Sequence, residues 1–133
     1  RFQFVSLTSL AGQKGLIMRG DSISPEFEAY KNKFELIEVA GYNQMIKMIA
    51  AYRADYAVAA QYGFLVEAEK LRLTTKIEML PKPIASRSLH FAFSKKSPHV
   101  KYVPKVNEIL KQLKDDGSIG QMVNDTIDNA LKR

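Results

Sequence analysis

The segment Leu10-Ala-Gly-Gln-Lys-Gly-Leu-Ile-Met-Arg-Gly-Asp-Ser22 constrains this chain more than any other. Leu16, Ile17 and Met18 make a short apolar run, the pattern of a parallel strand buried on both faces. The run stops at Arg19-Gly20, and Asp21-Ser22-Ile23-Ser24-Pro25 leads into a helical pattern. A strand delivered through a glycine onto a helix start leaves backbone N–H groups free at a sheet edge. Open α/β folds hold small polar ligands at such places. The segment therefore predicts an α/β fold and a ligand site together.

The alternation continues through residue 88. Ser24-Pro25 supplies an N-cap with proline at the first helical position, and Phe27 and Tyr30 follow one turn apart. Residues 34–39 read as a second strand. Asn43 reads as the cap of a helix whose Met45, Ile46, Met48, Ile49 and Tyr52 share one face. Residues 55–60 predict a third strand, 64–73 a helix, and 77–80 a fourth strand closed by Pro81 and Pro83. This order argues for an α/β class with a mainly parallel sheet and right-handed crossovers.

The character changes after Arg87. Residues 89–93 alternate as a strand does, and Ser94-Lys-Lys-Ser-Pro98 breaks the pattern. Val103, Val106, Ile109, Leu110 and Leu113 form one helix face, stopped at Asp116-Gly117. Ser118 starts a second helix carrying Met122, Val123, Ile127 and Leu131. Two amphipathic helices and one strand cannot bury their apolar faces on each other alone. Another segment or another chain is expected to cover them.

Composition removes several function classes. The 133 residues include no cysteine, so disulfides, thiolate metal sites and a cysteine nucleophile are excluded. Two histidines, His90 and His99, leave little for a metal centre, and neither a metal nor a cofactor is expected. At 46% apolar the chain can bury a core, while no apolar run approaches the roughly 20 residues of a membrane span. It opens at Arg1 without methionine or a signal peptide and reads as a mature, processed or truncated form. The net charge of +6 is diffuse: residues 1–88 hold 12 basic and 9 acidic groups, residues 89–133 hold 8 and 5. Without an arginine-rich arm or an RNA-binding aromatic signature, nucleic acid is not the expected partner. No carboxylate pair or nucleophile–histidine set is evident, so the chain does not read as an enzyme. Glu67 and Glu69 read as a solvated helix face.

Three segments, taken in order, resemble the family 3 extracellular solute-binding proteins, the periplasmic amino-acid-binding type with two lobes that close over a ligand. The residue 10–22 run is similar to the family's entry into its second lobe, "D-L-x-G-K-x-V-x-V-x-x-G-[ST]". Met45-Ile-Lys-Met-Ile-Ala-Ala-Tyr-Arg-Ala-Asp-Tyr-Ala-Val is similar to "A-L-x-x-G-R-x-D-A-V". Phe91-Ala-Phe-Ser-Lys-Lys-Ser-Pro, then Val106-Asn-Glu-Ile-Leu and Leu113-Lys-Asp-Asp-Gly-Ser-Ile, resembles its closing segment. The resemblance implies a lobe of type II periplasmic-binding-protein form over residues 1–88. Residues 89–133 would then be the strand and two helices that return to the other lobe, whose N-terminal part is not in this chain.

It also implies a function: a solute receptor of an ABC-type uptake system in the periplasm, holding an amino acid or related small polar solute between lobes. Its partners would be that solute, the first-lobe segment or another chain over the last two helices, and a membrane permease or sensor. A sensory ligand-binding domain is the alternative, and a dehydratase-like enzyme of the same fold a more distant one. In the family, Gly20 and the hydroxyl residues after it offer donors to a ligand carboxylate. Here Asp21 departs from the usual serine or threonine, and Ser22 follows. Arg19 could reach a carboxylate in a fork. Asn43, Gln44, Gln61 and Tyr62 fall at strand-to-helix junctions on the ligand side of such a sheet. The family's ammonium-binding aspartate is replaced by Ala60, so that role passes to Asp21 or the ligand is not a standard α-amino acid. Asp55 reads as a turn residue and His90 as a packed or surface histidine.

Overall fold

The computed structural model describes the backbone of residues 4–131 and the side chains of 4–129, so Leu131, assigned above to the last helix face, lies outside the described side chains. The chain divides into two compact units, Arg1–Ser86 and Arg87–Arg133.

The first unit is built on three parallel strands, β1 (Lys14–Met18), β2 (Glu35–Val39) and β3 (Tyr56–Val58), in the order β2-β1-β3. Leu16 pairs with Ile37 on one side and with Ala57 on the other, so the apolar run is the central strand. Helix α1 (Pro25–Tyr30) joins β1 to β2, α2 (Tyr42–Ala50) joins β2 to β3, and α3 (Gln61–Lys70) follows β3. The two crossovers run in opposite directions along the sheet, and right-handed connections then require their helices on opposite faces. The core divides accordingly. Ile17, Tyr56 and Val58 pack with Phe27 of α1, Phe34, Ile23 and Leu10. Leu16 and Val39 pack with Met45 and Ile46 of α2 and with Phe64 and Ala68 of α3. Alternate residues of β1 thus serve alternate cores, which is why the strand is apolar throughout.

Local signals set most helix starts. Ser24 Oγ accepts from Phe27 N–H at 3.1 Å and Pro25 opens α1, as the sequence predicts. The backbone N–H of Glu26, and after it the Ser24 hydroxyl, hold the exposed Glu26 carboxyl below its usual range. Helix α2 differs from expectation. Its cap is Gly41, and Asn43 instead donates from Nδ2 to Glu67 Oε1 at 3.3 Å. Tyr52, expected on the buried face of α2, is 87% exposed. The reason lies in how the helix stops. Tyr52 adopts φ +56°, Tyr52 N–H donates to Ile49 O (3.0 Å) and Arg53 N–H to Met48 O (2.9 Å). This is a Schellman closure, which swings the residue after the cap out of the helical register. Helix α3 closes in the same way: Arg72 has φ +55°, with Arg72 N–H on Glu69 O (2.8 Å) and Leu73 N–H on Ala68 O (3.0 Å).

Two further expectations are corrected. Helix α3 occupies Gln61–Lys70 rather than 64–73, because the chain turns straight from β3 into the helix at Ala60. Residues 77–80 form no strand; Ile77 packs on the α2/α3 core while Met79 and Leu80 are exposed. Ile84 then reaches the opposite core. Asp55 has the turn role read from the sequence. Its Oδ2 accepts from Lys14 N–H at 2.7 Å while its own N–H donates to Lys14 O at 2.8 Å, clipping β3 to β1 at the amino edge of the sheet.

Burial, with the Asp55 charge beside it, pushes the Tyr56 hydroxyl from 10.0 up to about 12. The unfolded chain releases this proton near pH 10 and the folded chain only near 12, so the stability it confers is complete below pH 10 and is lost between the two. Urea midpoints measured across that window should fall more steeply for the native chain than for Tyr56→Phe. Equal slopes would show that the phenol does not couple to folding.

The second unit carries α4 (Val103–Asp115) and α5 (Ser118–Leu131) after a 3-10 turn, Pro98–Tyr102. Gly117, at φ +80°, breaks the helix, and Asp116 Oδ1 accepts from Ser118 N–H at 2.9 Å to start the next. The Ser118 hydroxyl, and after it this backbone bond, hold the Asp116 carboxyl below its usual range. The helices pack as a hairpin whose seam residues Val106, Leu110, Leu113, Val123 and Ile127 are half-buried, and Ile109 and Met122 are exposed. No residue of this unit is fully buried among those described. The strand expected at 89–93 is absent. Leu89 is 97% and Phe91 74% exposed, because no neighbouring strand pairs with this stretch.

Candidate functional site

In the order β2-β1-β3 the chain leaves β1 toward one side and reaches β3 on the other. The connections therefore diverge beyond the carboxyl ends of β1 and β3, the place where open α/β sheets form their ligand crevice. The residues that border it are those following β1, Arg19 to Ser22, and those following β3, Ala60 to Tyr62.

The first border is a turn. Asp21 N–H donates to Met18 O at 3.0 Å and Gly20 has φ +77°, a left-handed value suited to the third position of a type II turn. Arg19 N–H still reaches Val39 O at 2.9 Å, so the arginine is anchored to the end of β2. Beyond the turn the chain is pinned again: Ile23 is buried, its N–H donates to Glu28 Oε1 at 3.1 Å, and Ser24 caps α1. Asp21 and Ser22 are thus held between two fixed points, with Asp21 half-buried. Among the described residues, the N–H groups of Gly20 and Ser22 make no hydrogen bond within the protein.

The second border is the start of α3. Its cap, Ala60, has no side-chain oxygen, and no acidic residue stands in the first turn. The N–H groups of Gln61, Tyr62 and Gly63 therefore face outward without intrahelical partners. This helix end is held against α2: Tyr42 and Phe64 meet edge-on at 6.2 Å and 76°, and Tyr42 lies so close over Gly63 that a Cβ there would meet its ring at 2.8 Å.

The six site residues read from the sequence, Arg19, Gly20, Asp21, Ser22, Gln61 and Tyr62, all fall on these two borders. The side chains of Arg19, Asp21, Ser22, Gln61 and Tyr62 make no hydrogen bond or ion pair with other described residues. The neighbouring candidates are committed elsewhere. Gln44 Oε1 accepts from Ala40 N–H at 3.1 Å to start its own helix, and Asn43 ties α2 to Glu67. Glu67 also pairs with Lys70 at 3.8 Å, and Glu69 accepts from the Thr74 hydroxyl at 3.2 Å. His90 is exposed in the second unit. Ala60 leaves Asp21 as the carboxylate of the crevice. No group of acidic residues and histidines suited to hold a metal occurs among the described residues, and none of their helices is long and apolar enough to cross a membrane.

One feature was not read from the sequence. An open groove of about 490 Å³ runs along α2, lined by Asn43, Gln44, Lys47, Met48, Ala51 and Arg53. No motif in the sequence marks it. Comparison with family models, curated proteins and solved structures gives no match for this chain.

Proposed function

We propose that this chain is a ligand-binding lobe of an exported solute receptor, taking a small polar solute at the crevice between the ends of β1 and β3. The observation that carries this reading is the convergence there of uncommitted donors and acceptors on rigid supports. Backbone N–H groups of Gly20, Ser22 and the first turn of α3 point to an anionic group of the solute, assisted by Arg19. Asp21 would receive a cationic group, since Ala60 offers none of the countercharge a buried ammonium needs. Gln61, Ser22 and Tyr62 would complete its polar and apolar contacts. The crevice is open, so tight binding requires a second surface to close over the solute and exclude water. That surface would be a further lobe, which would also cover the apolar faces of α4 and α5. The closed receptor would then meet a permease or a sensor at the membrane.

The test is a titration of the isotopically labelled chain with amino acids, polyamines and organic acids, followed by amide shifts. The expected result is a response confined to Gly20, Asp21, Ser22, Gln61 and Tyr62 that saturates only at millimolar solute, because one jaw binds weakly. Responses centred elsewhere, or none at the crevice for any solute, would overturn the site. Micromolar binding by this chain alone would overturn the need for a second lobe.

A further inference from the structure

We propose that the end of α2 and α3 at the amino edge of the sheet, centred on Tyr52, Arg53 and Arg72, is a docking surface for an acidic protein segment. Both helices follow strands of one parallel sheet and pack side by side, so both finish at the same edge, opposite the solute crevice.

Backbone strain singles out this edge. Each helix closes with a Schellman motif whose left-handed position favours glycine, yet these positions hold Tyr52 at φ +56° and Arg72 at φ +55°. They are the only non-glycine residues with positive φ among those described. Stability is forgone twice, in one motif, at one edge, to place an aromatic ring and a guanidinium in solvent.

Charge favours an acidic occupant. Arg53, Arg72 and Lys47 are exposed and make no ion pair with described residues, so their charge is free to meet a partner's carboxylates. Arg53 and Lys47 also line the open groove along α2. Tyrosine and arginine are the residues that dominate protein contacts, and unpaired arginines fit carboxylates bidentately. Glu67, Glu69 and Asp55 belong to the same helix pair and edge. Their charge opposes a continuous phosphate backbone but leaves room for a short segment with separated carboxylates.

The probe is an end-blocked hexaglutamate peptide, titrated into the full chain and followed by amide shifts, with oligo-dT as the competing polyanion. The expected response is confined to Lys47, Tyr52, Arg53 and Arg72 and is lost at high salt. Tyr52→Gly and Arg72→Gly should each raise the thermal midpoint while weakening peptide binding about fivefold. Arg53→Gln, which leaves the backbone untouched, should weaken it similarly at an unchanged midpoint. The proposal is overturned if the glycine variants bind as well as the native chain or fail to gain stability. It is equally overturned by shifts spread over all the lysines, by no binding, or by oligo-dT binding more tightly at this edge.

Discussion

Gly15→Ala should destabilise the first unit by about 3 kcal/mol, against the sign that residue preference alone would give. Glycine inside a strand is less favourable than alanine by roughly 0.5–1 kcal/mol, so an exposed site would gain from the change. Gly15, however, pairs directly with Tyr56 across β1 and β3, and both lie on the α1 face of the sheet. The Tyr56 ring lies against the glycine, and an added Cβ would collide with its ring and hydroxyl atoms. Tyr56 is only 8% exposed, so the ring has no room to retreat without vacating the core. The loss is then that of most of a buried aromatic side chain. A double-mutant cycle decides the cause. In a Tyr56→Ala background the Gly15→Ala change should become neutral or stabilising, giving a coupling of at least about 2 kcal/mol. An additive cycle, measured by urea unfolding, would remove the steric account.

Phe27→Ala should cost about 3–5 kcal/mol, the range for a buried aromatic truncated in a core that cannot collapse. Phe27 is fully buried and meets Phe34 at 5.4 Å with the rings tilted by 42°. It is the main apolar side chain that the six-residue α1 sends inward, and so short a helix has little stability of its own. A loss of this size is a large part of the 5–15 kcal/mol typical of a domain. The crevice should respond too, because the loop from Arg19 to Ser22 is anchored through Ile23 and Ser24 to that helix. Amide exchange at Gly20 and Ser22 should therefore accelerate in Phe27→Ala more than exchange in α2. Uniform acceleration throughout the unit would mean that α1 does not hold the loop in particular.

The parts of this molecule that were legible in the sequence are those written by near neighbours. Leu16-Ile17-Met18 reads as a strand because every residue faces one core or the other. Ser24-Pro25 reads as a helix start because its donors and acceptors lie within one turn. The position of the polar loops at the carboxyl edge was legible for the same reason. A strand that ends in Arg19-Gly20 and one that turns into a helix at Ala60 each mark a carboxyl edge, and in a parallel sheet those edges coincide.

What failed was what depends on a distant partner. Residues 77–80 and 89–93 have strand patterns, but a strand exists only where another supplies its ladder, and neither segment has one in this structure. Tyr52 keeps the helical spacing of Met45 and Met48, yet the closing hydrogen bonds of α2 turn it outward.

The sequence by itself therefore determined the alternation of strand and helix, the cap of α1, and the edge on which the polar loops gather, because periodicity and capping are short-range chemistry. Only the tertiary structure decided which of the strand-like segments join the sheet. It also showed that Gly15 makes room for Tyr56, and that two strained helix ends put Tyr52 and Arg72 on one edge. Those outcomes rest on contacts between residues far apart in the chain, whose geometry exists only once the core has closed.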